Sequence, residues 1–180
     1  MKKITICVCG GIAAYKIASL VSALSKYNLD IQIIMTKNAT EFITPLTLET
    51  LSKNKVVVDM FNESNAEYVG HIEYGQNTDL LVIAPATANI IGKTANGIAD
   101  DMVSSTIIAA TAPVLYVPAM NVKMYENKIV QNNIKKLKEY GYYFLEPDTG
   151  MLACGYEGKG KLPKTETIID KINDFIKFKE

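Results

Sequence analysis

The sequence predicts an α/β fold in which a doubly wound parallel sheet is flanked by helices, and three observations predict it. First, residues 4–8, 30–36, 80–84 and 114–117 are short apolar runs without polar alternation, as in Ile31, Ile33, Ile34 and Met35 of the second. Strands of that kind are covered on both faces. Second, residues 87–95, 100–110 and 123–140 have helical spacing, the last with a stripe of Ile129, Val130, Ile134 and Leu137. Third, the two kinds of segment alternate, which places helices against both faces of one sheet in a Rossmann- or flavodoxin-like three-layer sandwich.

Taken in order, the first strand leads through Gly10-Gly11 into a helical pattern of Ile17, Leu20, Val21 and Leu24. Gly70 opens a helix ahead of the third strand. Residues 102–122 carry no charge, the one stretch that invites a membrane-spanning reading. Pro113 and Pro118 interrupt it and Ser104, Ser105 and Thr106 open it with hydroxyls, so a buried helix followed by a buried strand fits better. The tail, residues 166–178, is one more amphipathic helix. No repeat, low-complexity tract or linker divides the 180 residues, so one domain over 1–180 is expected.

Nineteen Lys and Arg balance nineteen Asp and Glu, which leaves no basic excess for nucleic acid or an anionic membrane surface. The N-terminal Met1-Lys2-Lys3 leads into an apolar run of a strand's length with no signal-cleavage pattern. Three cysteines cannot all pair, and Cys7 and Cys9 share one face of the first strand. Reduced thiols in a cytoplasmic protein are the simplest account. Nothing near Cys7 and Cys9 completes a metal set, so no metal is expected.

In such folds ligands bind beyond the carboxyl ends of the strands. Those ends are Gly10-Gly11-Ile12-Ala13-Ala14, Thr36-Lys37-Asn38, Pro85-Ala86-Thr87-Ala88-Asn89 and Pro118-Ala119-Met120-Asn121. They read as small, hydroxyl and amide residues, so a neutral cleft is expected. The first turn lacks the spaced glycines of a dinucleotide site and the lysine-hydroxyl pair of a nucleotide loop. Gly10-Gly11 is either a tight turn or an anion site at a helix start. Thr36, Asn38, Thr87, Asn89 and Ser104 add donors that suit a mononucleotide such as FMN better than NAD.

His71, the only histidine, is either a proton-transfer group or a helix-end residue without chemistry. Asn121 can grip a carboxylate, cap the helix that follows, or do both. Met124 either flanks a flat ring or fills the core. Cys154 lies in the segment Gly150 to Lys161 among four glycines, and reads as loop filler or as a reactive thiol on a flexible segment.

Together these residues resemble the homo-oligomeric flavin-containing cysteine decarboxylases. The matches are Gly10 to Lys16, Gly70-His71-Ile72, Ala84 to Asn89 with Lys93, Gly97 to Asp101, Pro118 to Asn121 with Met124, and the Cys154 segment, in order from Ile4 to Pro163. The resemblance implies FMN-dependent decarboxylation of 4′-phospho-N-pantothenoyl-L-cysteine to 4′-phosphopantetheine in coenzyme A biosynthesis. The substrate thiol is oxidised, carbon dioxide leaves and the product is re-reduced. It implies a catalytic His71, a proton-donating Cys154 on a substrate clamp at about 150–163, and substrate binding by Asn121 and Met124. FMN contacts fall by position at Gly11, Ile12, Ala13, Thr36, Phe42, Ala86, Thr87, Ala88, Asn89 and Ser104. The resemblance also implies a homotrimer, or a dodecamer built from trimers, with flavin near subunit contacts.

Two other functions compete. Peptidyl-cysteine oxidative decarboxylases share the histidine and the Asn121 region but lack the clamp cysteine. Non-catalytic regulatory subunits of this fold have lost a catalytic residue, whereas His71, Asn121 and Cys154 are all present. Related bacterial chains carry a fused ligase that makes the substrate. Here the chain ends at Glu180, so it is expected to be either monofunctional or an excised domain.

Overall fold

The computed structural model describes residues 1–60, 70–151, 155 and 157–178. The first strand, β1 (Lys2–Val8), alternates its side chains between two hydrophobic layers: Ile4, Ile6 and Val8 face one, Cys7 the other. A short 3₁₀ turn (Ile12–Lys16) leads into α1 (Ile17–Leu24), which buries Ile17, Leu20, Val21 and Leu24. Then follow β2 (Leu29–Met35), a second 3₁₀ turn (Lys37–Glu41) and α2 (Pro45–Ser52). Beyond residue 69 come α3 (Gly70–Gln76), β3 (Leu80–Ala86), α4 (Ala88–Ala95), α5 (Met102–Ala109) and β4 (Val114–Pro118). The chain continues through α6 (Val122–Tyr125), α7 (Lys128–Glu139), β5 (Tyr143–Phe144), β6 (Asp148–Met151), β7 (Glu157–Lys161) and α8 (Thr165–Ile176).

Five strands form one parallel sheet in the order β2-β1-β3-β4-β5. Its two faces are covered as the unbroken apolar runs require. On one side α1, α2 and α8 pack Leu20, Leu48 and Ile172 against Ile6, Ile33 and Val82. On the other, α4, α5 and α7 pack Ile91, Val103 and Leu137 against Cys7, Ile83 and Tyr116. This is the expected three-layer sandwich. The strand order reverses between β1 and β3, which puts a crevice at their carboxyl ends.

The structure bears out the sequence reading at one contested place and revises it at three. The uncharged run 102–122 is indeed helix then strand, and no described helix is long and apolar enough to cross a membrane. The single helix expected over 123–140 is two, because the Asn127 side chain accepts from the Ile129 amide at 2.9 Å and starts a second helix there. The helix α2 was not expected; Pro45 at its first position and the Thr44 cap begin it. The segment expected as a loop at 150–163 has a two-stranded antiparallel stem, β6 with β7.

Candidate functional site

The crevice between β1 and β3 opens into a cleft of about 910 Å³. Its floor is Cys9, 1 % exposed, with the Gly10-Gly11 turn above it. Gly10 has to be glycine: a Cβ there would stand 2.5 Å from Cβ of Asn38 and 2.8 Å from its carbonyl carbon. That contact brings the ends of β1 and β2 together. Beside it, Thr36 accepts from the Ala39 amide at 3.2 Å, and Thr87 caps α4 by accepting from the Ile90 amide at 3.3 Å. Both threonines line the cleft, with the first-turn residues Ala88 and Asn89 of α4 next to them. Amides of a first helical turn lack intrahelical partners, so this wall presents donors to an anion.

The opposite wall comes from Ala119, Met120, Asn121 and Met124 and from the hairpin residues Met151, Gly160 and Lys161. Asn121 caps α6, its Oδ1 accepting from the Lys123 amide at 2.8 Å. The hairpin lies directly on this segment: the Met120 amide donates to the Gly160 carbonyl at 3.0 Å. A Cβ at Gly160 would run into the Met120 carbonyl oxygen, and its φ of +154° also favours glycine.

The cleft is not neutral, contrary to the sequence expectation. Lys16, Lys37, Lys93, Lys161 and Asp101 line it too. Strand ends alone do not reveal this. Lys16 and Lys93 reach in from within helical turns, Lys161 arrives with the hairpin, and Lys37 sits inside one of the edges read as uncharged. Lys93 pairs with Asp100 at 2.6 Å and with Asp101 at 2.8 Å. Partial burial works against its ammonium, but the hydrogen bonds to Asp100 and Asp101 outweigh it and hold the Lys93 pKa above the ordinary value. The Lys93 hydrogen bond draws the Asp100 carboxyl below the usual range. Burial pushes the Cys9 thiol up to about 12 and raises that of Cys7 as well, so both are neutral at working pH.

Of the residues expected to hold FMN, the cleft brings together Gly11, Ile12, Ala13, Thr36, Thr87, Ala88 and Asn89. Three do not line it. Ala86 is buried at the end of β3, where its carbonyl accepts from the Ala119 amide at 3.1 Å. Phe42 is 43 % exposed just past the second 3₁₀ turn. Ser104 is fully buried and completes a capping box: its Oγ accepts from the Asp100 and Asp101 amides, each at 3.1 Å, and its own amide donates to Asp101. Ser104 therefore touches a cleft-lining residue, Asp101, without lining the cleft itself.

Asn121 and Met124 line the cleft as expected, and the half-exposed Met124 is not core. His71, in the first turn of α3, is absent from the lining; α3 packs on α5. Cys154 lies outside the described residues, between the two strands of the hairpin in sequence. The sequence reading missed Cys9, Tyr15, Lys16, Lys93 and Asp101 as lining residues, whereas Met151 and Leu162 fall within the expected clamp segment. Of those missed, only Lys16 had a signal, standing one turn after a strand-end glycine pair.

A crevice at the switch point of a flavodoxin-like sheet, lined by first-turn amides, small neutral residues and four lysines, has the features of a site for a phosphorylated planar ligand. Residues 1–177 match the family model named Flavoprotein, and the chain belongs to that family. It is 49 % identical over 168 residues to the coenzyme A biosynthesis bifunctional protein CoaBC of Bacillus subtilis, covering 93 % of this chain and 41 % of that one. It is 43 % identical over 175 residues to a probable phosphopantothenoylcysteine decarboxylase of Streptococcus mutans, covering 96 % and 98 % respectively. The chain spans less than half the length of the bifunctional relatives, 41 % and 45 % in two of them. Among solved structures, a mutant PPC decarboxylase complexed with pantothenoylaminoethenethiol superposes with a TM-score of 0.88 at 28 % identity, covering 98 % of each chain. The FMN-dependent cysteine decarboxylase SpaF gives 0.82 at 29 % identity, covering 95 % of this chain and 94 % of that one.

Proposed function

We propose that this protein catalyses the FMN-dependent decarboxylation of 4′-phospho-N-pantothenoyl-L-cysteine to 4′-phosphopantetheine, a step of coenzyme A biosynthesis. The observation that carries it is one cleft with two unlike walls. One offers amides and hydroxyls from Gly11, Thr36, Thr87 and Ala88; the other offers Asn121, Met124 and the glycine hairpin. The first wall fits FMN: its donors are neutral, and Lys16 and Lys37 supply the positive potential a phosphate needs. The second fits a small thiol-bearing carboxylate.

FMN, when bound, supplies the reversible two-electron sink that a bare β-thiol carboxylate lacks. The residues of this chain do the rest. The Asn121 side chain, held by its bond to the Lys123 amide, orients the substrate carboxylate without adding charge. His71 manages the proton of the substrate thiol, and Cys154 delivers a proton to carbon in the closing reduction. Carbon dioxide leaves and one proton replaces it, so the overall reaction is redox-neutral. The Lys161 cation in the cleft suits a phosphorylated substrate rather than an uncharged peptide, which favours this reading over peptidyl-cysteine decarboxylation.

The same proposal includes a cytoplasmic homo-oligomer, trimeric or built of trimers. The free buried thiols Cys7 and Cys9 suit a reducing compartment, and the exposed Ile12 and Met124 of the cleft give an apolar rim for a second copy. A ligase, fused or separate, would make the substrate.

The test is to purify the protein, reconstitute it with FMN, and assay carbon dioxide release from phosphopantothenoylcysteine beside a cysteine-terminated peptide. Yellow protein that decarboxylates the former is expected. Protein that takes up no flavin would overturn the reading. Cys154→Ser should still release carbon dioxide but yield no saturated thiol product; normal product would remove Cys154 from its role.

A further inference from the structure

Glu146 lies in the short link between β5 and β6, and three elements converge on its carboxylate. Oε2 accepts from the Tyr125 hydroxyl at 2.6 Å and from Lys159 Nζ at 2.8 Å, while Oε1 accepts from Lys138 Nζ at 2.9 Å. Lys159 Nζ also stands 5.6 Å from the centroid of the Tyr125 ring, within cation–π range. Tyr125 is the last residue of α6, the helix that Asn121 caps and that carries Met124. Lys159 is the middle residue of β7, flanked by two glycines that touch the same segment: Gly158 meets the Val122 side chain and Gly160 meets Met120. Two residues beyond Lys159, Lys161 lines the cleft.

We propose that Glu146 is a positioning residue of the decarboxylation: through Lys159 and Tyr125 it clamps the hairpin stem to α6 and so fixes the distance between the two parts of the substrate wall. This rests on the decarboxylase reading above. Gly158 and Gly160 provide close backbone approach but no side chain to hold it, and β7 (Glu-Gly-Lys-Gly-Lys) has little intrinsic strand preference. Beyond the single Met120–Gly160 backbone hydrogen bond, the side-chain tether comes from Lys159. Lys138, on α7, holds the second oxygen and stops the carboxylate from rotating away. The network also separates the two lysines of β7: Lys159 belongs to the scaffold, and Lys161 to the ligand cleft.

The experiment compares the FMN-loaded wild type with Glu146→Gln, Lys159→Met, their double variant and Lys159→Arg. Each single variant should raise KM for phosphopantothenoylcysteine by about three- to tenfold with a smaller change in kcat and unchanged flavin content. The double variant should be no worse than either single one, because both remove the same link, and Lys159→Arg should restore most of the affinity. Amide hydrogen exchange at residues 157–161 should be faster in Glu146→Gln and in Lys159→Met. Unchanged KM, additive effects, or unchanged exchange in that strand would overturn the proposal. A wild type that releases no carbon dioxide from this substrate would sink the decarboxylase reading instead, and the exchange comparison would still decide whether Glu146 holds the hairpin.

Discussion

At Gly10 a single hydrogen atom in place of a methyl group lets the ends of β1 and β2 meet. Gly10→Ala would put a Cβ 2.5 Å from Asn38 Cβ, against a turn that cannot retreat without moving Thr36. We expect a loss of about 1–3 kcal/mol of stability, as for other overpacked sites, together with lower FMN content after reconstitution; an unchanged melting temperature and flavin ratio would refute the contact. Glu146 makes a prediction about pH. Partial burial opposes its ionisation, but hydrogen bonds from Lys159, Tyr125 and Lys138 prevail and hold the carboxyl at about 2, against an ordinary 4.5. The folded-state pKa is depressed, so the contribution is complete above the ordinary value and is lost as pH falls from there toward 2. Wild type should therefore be more stable than Glu146→Gln at neutral pH, with the gap closing below about pH 4.5 in urea titrations. A gap independent of pH would show that the charge contributes nothing.

Elements are where the sequence was most legible, and where its limits have physical causes. The four buried strands were readable because an apolar run covered on both faces has no other stable place. The Asn127 break was not, since helical period persists across it and only a side-chain cap ends one helix and starts the next. The hairpin was legible as a glycine-rich segment but not as strands, because contacts with Met120 and Val122 hold it and strand propensity does not. Asn121 and Met124 could be placed in the cleft because they follow a strand end. The Lys93–Asp101 pair could not, because it joins α4 to the cap of α5 across eight residues of sequence with no strand between. Between β4 and α4 the buried Tyr116 hydroxyl donates to Thr94 Oγ1 at 2.9 Å, and burial pushes the Tyr116 pKa well up. Thr94 keeps its own bond to the Ile90 carbonyl, so Tyr116→Phe should cost only about 1 kcal/mol by thermal unfolding. A loss several times larger would mean that the ring, stacked on Phe144 at 4.8 Å, had moved as well.

At the scale of the whole molecule, among the described residues assigned to chemistry, Asn121 and His71 do not share the cleft lining. Asn121 lines the cleft, whereas His71 stands half-buried on α3, which is packed against α5 in the outer helical layer. A histidine that handles the substrate thiol has to reach the cleft, and a neighbouring protomer is the source that the proposed assembly offers. Complementation tests this directly. His71→Asn and Asn121→Asp should each be inactive alone, since one loses the proton manager and the other repels the substrate carboxylate. If each site takes His71 from one protomer and Asn121 from the next, mixing the two variants at equal ratio leaves about one site in four with both native residues. Co-expressed variants should then recover about a quarter of wild-type turnover. If both residues of a site came from the same protomer, every site would carry one defect and mixing would restore nothing. Size-exclusion chromatography of the mixture separates the two explanations of a null result: intact mixed oligomers without activity would refute the shared site, and monomers would refute the assembly itself.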